Sequence, residues 1–126
     1  MTEELDSKLC QDFPNLFKNR YASLTETCMC WGFECEDGWF DLIYNLCVNI
    51  QNYIIESKFE NIEVLQVKEK YGNLRFYISS GDEYIFNLIN QAENESKTIC
   101  EICGKKGKII EKNGWYKCRC EECKNK

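Results

Sequence analysis

Four of the ten cysteines form two C-x-x-C pairs near the C-terminus, Cys100–Cys103 and Cys120–Cys123. Two thiolates at this spacing close a chelate on one tight turn. The glycine after the first pair, Gly104, lets the backbone bend so that amide N–H groups point at the sulfurs. Ten residues between the pairs, KIIEKNGWYK (108–117), read as a hairpin with Asn113-Gly114 at its tip, a strong two-residue turn signal. The hairpin returns the second pair to the first. Four sulfurs so placed fit a closed, tetrahedral Zn²⁺ site with no corner left for water, which makes the metal structural. Cys118 could replace Cys120 by position alone. Cys120 repeats the two-residue spacer of the first pair, so Cys118 is read as a hairpin residue.

A second group, Cys28, Cys30, Cys35 and Cys47, is a candidate for another metal. The competing reading is small buried side chains packed around Trp31, Phe33 and Trp39, because free cysteine is among the most buried residue types and C-x-C-x₄-C is not a standard knuckle. Disulfides are not expected in a reducing compartment. The carboxylates Glu34, Glu36, Asp37 and Asp41 beside this group could form a Mg²⁺-dependent hydrolytic centre. The alternative places Asp37 at a helix N-cap and Asp41 in its first turn. Histidine is absent from the chain. That excludes Ser-His and Cys-His nucleophilic pairs and His-ligated catalytic zinc, and no enzyme activity is expected.

The elements that must position these residues are short. Residues 3–10 read as a helix, and Pro14 can open another through Tyr21. Residues 27–38, TCMCWGFECEDG, read as a loop. Asp37 then caps a long helix in which Trp39, Ile43, Leu46, Ile50 and Tyr53 recur every three or four residues, flanked by Phe40, Cys47 and Ile54. Residues 62–69 and 74–79 read as strands joined by a turn at 70–73. Asp82 caps a third helix whose Tyr84 or Ile85, with Leu88, Ile89 and Ala92, faces the sheet. The prediction is an α+β domain of helices packed on a β-hairpin, with a Cys₄ zinc-knuckle or zinc-ribbon-like module at its end.

Charge divides the chain at the same place. Residues 1–96 carry 17 acidic and 7 basic side chains; residues 97–126 carry 4 acidic and 9 basic ones. The expected organisation is an acidic body, 1–96, and a basic metal-binding module, 97–126. The net charge of −5 excludes a generally basic nucleic-acid protein. The N-terminal MTEELDSK has no apolar core of a signal peptide, and no apolar run reaches membrane-spanning length. A cytoplasmic protein with no membrane partner is expected.

The stretches CMCWGFECEDGWFDLI, VKEKYGNLRFYI and ICEICGKKG…GWYKCRCEEC resemble a family of small zinc-binding proteins encoded by bacteriophages and prophages. The resemblance covers residues 14–123. It implies a mobile-element origin and a host-facing role in a bacterial cytoplasm, and it carries no established activity. In that family the position of Cys118 is often not cysteine, which agrees with Cys120 as the ligand. With the acidic body, the resemblance leads to an expected function as a zinc-binding accessory protein that acts by protein–protein binding. Its target would be a host defence or nucleic-acid-handling protein, which it would inhibit, and Glu34 and Glu36 are candidate contacts. The alternative is a nucleic-acid-binding regulator using Lys105, Lys106 and Lys108 of the metal module together with Arg75 and the aromatic and basic residues of 68–77.

Overall fold

A computed structural model of the chain describes residues 1–21, 28–58 and 61–126. Thr27, the first residue of the predicted cysteine-rich loop, lies outside them. The fold is α+β, as the sequence leads one to expect. Helix α1 (Glu3–Asp12) is followed by short 3₁₀ turns at Lys18–Tyr21 and Cys28–Trp31, and by the two-residue strand β1 (Phe33–Glu34). A 3₁₀ turn at Asp37–Trp39 leads into the long helix α2 (Phe40–Ser57). Strands β2 (Val64–Lys70) and β3 (Asn73–Ile78), helix α3 (Glu83–Ser96), and strands β4 (Lys108–Lys112) and β5 (Trp115–Arg119) complete the chain. Among the described residues, no helix is long and apolar enough to cross a membrane.

Helix α2 organises the core because its apolar side chains recur on one face. Trp39, Leu42, Ile43, Leu46, Cys47 and Ile50 are buried there, while Tyr53 is only half-buried and bonds through its hydroxyl to Asp82. Ile85, Ile89 and Ala92 on α3 pack against the same core. Of the two residues predicted at the start of that helix, Ile85 turns inward. Tyr84 stays exposed and stacks on Tyr53, 4.3 Å between ring centroids. The predicted cap is present: Asp82 Oδ1 accepts from the Ile85 N–H at 3.0 Å.

The main sheet has the order β1-β2-β3, with β1 parallel and β3 antiparallel to β2. Strand β1 lies within the stretch predicted to be a loop. Two residues show no alternation to read, and only the pairing of Phe33 with Val67 and Glu34 with Lys68 defines the strand. Strand β3 is an edge, and a bare edge invites pairing with other chains. Here α3 covers it. The Leu74 N–H donates to Ser96 Oγ at 2.9 Å, and the Phe76 N–H donates to Glu93 Oε2 at 3.0 Å.

Asp37 does not cap α2. Its Oδ1 accepts the Thr2 N–H at 2.7 Å, while the Met1 ammonium donates to the Cys35 carbonyl. These bonds tie the start of α1, whose first turn carries Glu3 and Glu4, to the Cys35–Asp37 segment. At the start of α2 the Phe40 N–H bonds instead to the Asp37 carbonyl, so a 3₁₀ turn replaces the side-chain cap.

Candidate metal centre

The second sheet, β4-β5, is the predicted hairpin. Asn113 and Gly114 take φ values of 54° and 83°, the paired left-handed conformations of a type I′ turn. Its strands align Ile109 with Cys118 and Lys108 with Arg119. The first knuckle is closed by Gly104 N–H donating to the Cys100 carbonyl at 2.9 Å and Cys100 N–H to the Lys105 carbonyl at 2.7 Å. The second is closed by Cys123 N–H donating to the Cys120 carbonyl at 3.2 Å. The two turns thus face each other at the base of the hairpin.

The sulfurs of Cys100, Cys103, Cys120 and Cys123 all lie within 4.8 Å of one another. Cys103 and Cys120 are 3.5 Å apart, far beyond the ~2.05 Å of a disulfide. The four could hold a metal ion, and no other group of three or more Cys, Asp or Glu among the described residues could. Three of the thiols are buried and Cys103 is exposed. Burial opposes ionisation of Cys100, but the N–H groups of Cys103, Cys120 and Ile102 outweigh it and hold the thiol down at about 6. Cys123 has no such surplus of donors: burial, with the neighbouring Cys120 thiol, pushes it up to about 12. Four thiolates in one pocket would repel one another, so a cation is what lets all of them ionise.

Cys118 stands apart. It is fully buried in the main core, its thiol donates to the Lys97 carbonyl at 3.3 Å, and burial raises it to about 11. Cys120→Ser should therefore release the metal, measured as metal per chain after gel filtration. Cys118→Ala should keep full metal content and lose about 1–2 kcal/mol of stability as a small cavity in the core. The reverse pattern would overturn the ligand assignment.

Cys28, Cys30, Cys35 and Cys47 form no ligand group. Cys28 is exposed, Cys30 is half-buried, and Cys35 and Cys47 are buried in the core. Burial pushes the Cys35 thiol up to about 12 and drives Cys47 higher still, so both are neutral packing groups. The four nearby carboxylates also separate. Glu34 accepts from the Gln66 side chain at 3.3 Å, Asp37 holds Thr2, Glu36 is exposed, and Asp41 occupies the first turn of α2.

The metal module is bound into the body by contacts that cross the charge boundary. Trp39, fully buried, donates from Nε1 to the Ile99 carbonyl at 2.9 Å. The Gly38 N–H donates to the Glu101 carbonyl at 2.7 Å. Glu101 is itself buried. Burial pushes its carboxyl above the usual range, while its Oε2 accepts the Glu36 N–H at 3.0 Å and its Oε1 lies 3.3 Å from Arg119. Lys117 reaches Glu69 of β2 at 2.8 Å. Trp39, Gly38 and Glu101 were not candidate site residues. Their partners lie about sixty residues away in sequence, beyond any local spacing rule.

Of the basic residues proposed as contacts, Lys105, Lys106 and Lys108 are exposed around the knuckles, and Lys105 lies 3.4 Å from Glu122. Arg75 is half-buried on β3 opposite Lys68. Glu34, in register with Lys68, therefore shares a row with these cations and lies apart from Glu36. Comparison with models of known protein families, with curated proteins and with solved structures gave no match.

Proposed function

We propose that the protein is a zinc-holding, non-catalytic accessory protein of the phage type that acts by binding a host macromolecule in the cytoplasm. The observation that carries this reading is the four-thiol site. Its donors number the four that Zn²⁺ takes in structural sites. A tetrahedron with Zn–S near ~2.3 Å has edges of ~3.8 Å, close to the Cys103–Cys120 separation of 3.5 Å. All-sulfur donors favour Zn²⁺ over the oxygen-seeking Mg²⁺ and Ca²⁺. Cys100, Cys103, Cys120 and Cys123 would hold the ion, and it would tie the hairpin to the knuckles. A site with every corner filled leaves function to the surface.

The partner that the acidic body fits is a basic, nucleic-acid-handling host protein, which the accessory protein would inhibit. Glu3 and Glu4 sit in the first turn of α1 and Glu36 in the segment to which Met1 and Thr2 are bonded, and none of the three makes an ion pair among the described residues. Unpaired carboxylates of this kind speed association with a positive groove and are screened beyond about 8 Å at physiological salt. Tagged protein expressed in a bacterial host should retain a nucleic-acid-handling protein. Combining Glu3→Lys with Glu36→Lys, or raising the salt, should release it. Retention unaffected by charge reversal would contradict the reading.

A further inference from the structure

The metal module places its hairpin tip beside the tip of β2-β3. Tyr71 and Gly72 take φ values of 54° and 83°, which makes the first tip a tight turn like the second. A Cβ built on Gly72 would lie 3.3 Å from the Ile109 side chain, and Lys117 bonds to Glu69, so the two hairpins are in contact. Between their ends lies an open cleft of about 360 Å³ lined by Lys68, Lys70, Tyr71, Trp115 and Tyr116, with Glu69 and Gly114.

Three aromatic rings in this cleft are left in solvent. Tyr71 is 66% exposed, Trp115 70% and Tyr116 47%. Side chains of this size are usually covered, and a cluster of them in the open marks a binding surface. Three cations stand beside them, with Glu34 as the one carboxylate in the same row, held by the Gln66 side chain. Lys68 and Lys70 alternate with Glu69 on β2 and so share the solvent face of the sheet with Arg75, opposite Lys68, and with Tyr77, itself 41% exposed. None of these three cations makes an ion pair among the described residues. The acidic members of the two hairpin ends are engaged. Glu69 holds Lys117 and the Gly72 N–H, and Glu111 accepts the Gly114 N–H at 3.1 Å.

We propose that this two-hairpin cleft binds single-stranded nucleic acid, with bases stacked on Tyr71, Trp115 and Tyr116 and phosphates held by Lys68, Lys70 and Arg75. Exposed rings flanked by cations with no carboxylate partner suit a strand whose bases are unstacked and whose backbone is anionic; Lys70 Nζ already lies over one face of Tyr71, 5.6 Å from its centroid. An acidic polypeptide would satisfy the lysines and leave the rings without partners. The inference rests on the chain being a zinc-held binding protein, because the zinc site holds the second hairpin against the first. It is independent of the acidic pole.

The test is fluorescence anisotropy of a labelled oligo-dT with the full-length, zinc-loaded protein at about 50 and 200 mM salt, with poly-glutamate as competitor. Trp115→Ala and Tyr71→Ala should each weaken binding about 5- to 100-fold. Combining Lys68→Gln with Lys70→Gln should lower the slope of log affinity against log salt by about 1.4. Zinc content and circular dichroism should match the unaltered protein in each variant. Oligo-U should bind comparably, because stacking and phosphate contacts do not use the sugar. No binding, binding indifferent to Trp115 and Tyr71, or displacement by poly-glutamate at equal charge would overturn the inference. If the strand fails to bind while Glu3→Lys with Glu36→Lys still releases a host protein, only the cleft assignment falls. If the strand binds and no host protein is retained, only the acidic-pole reading falls.

Discussion

Removing the metal with a chelator should unfold residues 97–126 while leaving α2 folded. The module is 30 residues long and lends the main core Cys118, with Ile99 and Ile109 partly buried against it, which is little apolar burial for a segment of this length. Structural zinc supplies apparent binding free energies of about 10–16 kcal/mol in small zinc domains. Its own buried cluster is Cys100, Cys120 and Cys123 with Ile102 beside them, so without the ion its centre is a set of thiols. The body keeps Leu42, Ile43, Leu46, Cys47 and Ile50 packed on one helix face. Hydrogen exchange should therefore become fast across 97–126 and stay slow along α2. Trp39 should report the change, since its indole bonds to Ile99. In a chain carrying Trp31→Phe and Trp115→Phe, emission should shift to the red on chelation. Because the ligands must ionise, metal uptake should release protons, and affinity should fall as pH falls. A module that remains protected after verified metal loss would show that packing alone holds it.

Gly38→Ala should be the most damaging of the glycine-to-alanine changes. A Cβ at this position would lie 2.2 Å from the Cys100 carbonyl oxygen and 2.5 Å from the Glu101 carbonyl carbon. Both are backbone atoms of the first knuckle and cannot move aside without dragging Cys100. The same glycine donates the 2.7 Å bond to Glu101. Overpacking against backbone belongs at the upper end of the ~1–3 kcal/mol range or above it. For a chain of this size that corresponds to a fall of about 10 °C in melting temperature. Gly114→Ala is the control. Nothing lies within 4 Å of its Cβ position, so only the left-handed φ opposes it, at about 1 kcal/mol. Thermal melts of the two variants should differ clearly. Equal melting would mean that the knuckle does not sit against the Asp37–Trp39 turn.

Local chemistry was legible in the residues, and distant contacts were not. The two C-x-x-C pairs, the Asn113-Gly114 turn and the Asp82 cap each depend on a few neighbouring residues, and each appears where its spacing places it. The apolar stripe of α2 follows for the same reason. Asp37 has the spacing of a helix cap but not the role, because an aspartate before a helix has two uses. It can bond its own helix or an amide elsewhere, and the free Thr2 N–H of α1 took it. Strand β1 was missed because two residues carry no period, and its partner lies over thirty positions on. The charge division at 96/97 is real in composition. It conceals the extent of packing across it, where Trp39 meets Ile99 and Cys118 joins the main core. The hairpin residues of 68–77 and Trp115 were visible separately. Only the fold brings them to one cleft.

Four cysteine sulfurs closing a structural zinc site would hold the second hairpin in place. X-ray absorption at the zinc edge of the purified protein counts the sulfurs around the ion. One zinc per chain is expected, with four sulfur neighbours at ~2.3 Å and no oxygen or nitrogen in the shell. A shell of fewer sulfurs completed by oxygen or nitrogen, or a metal other than zinc, would contradict it.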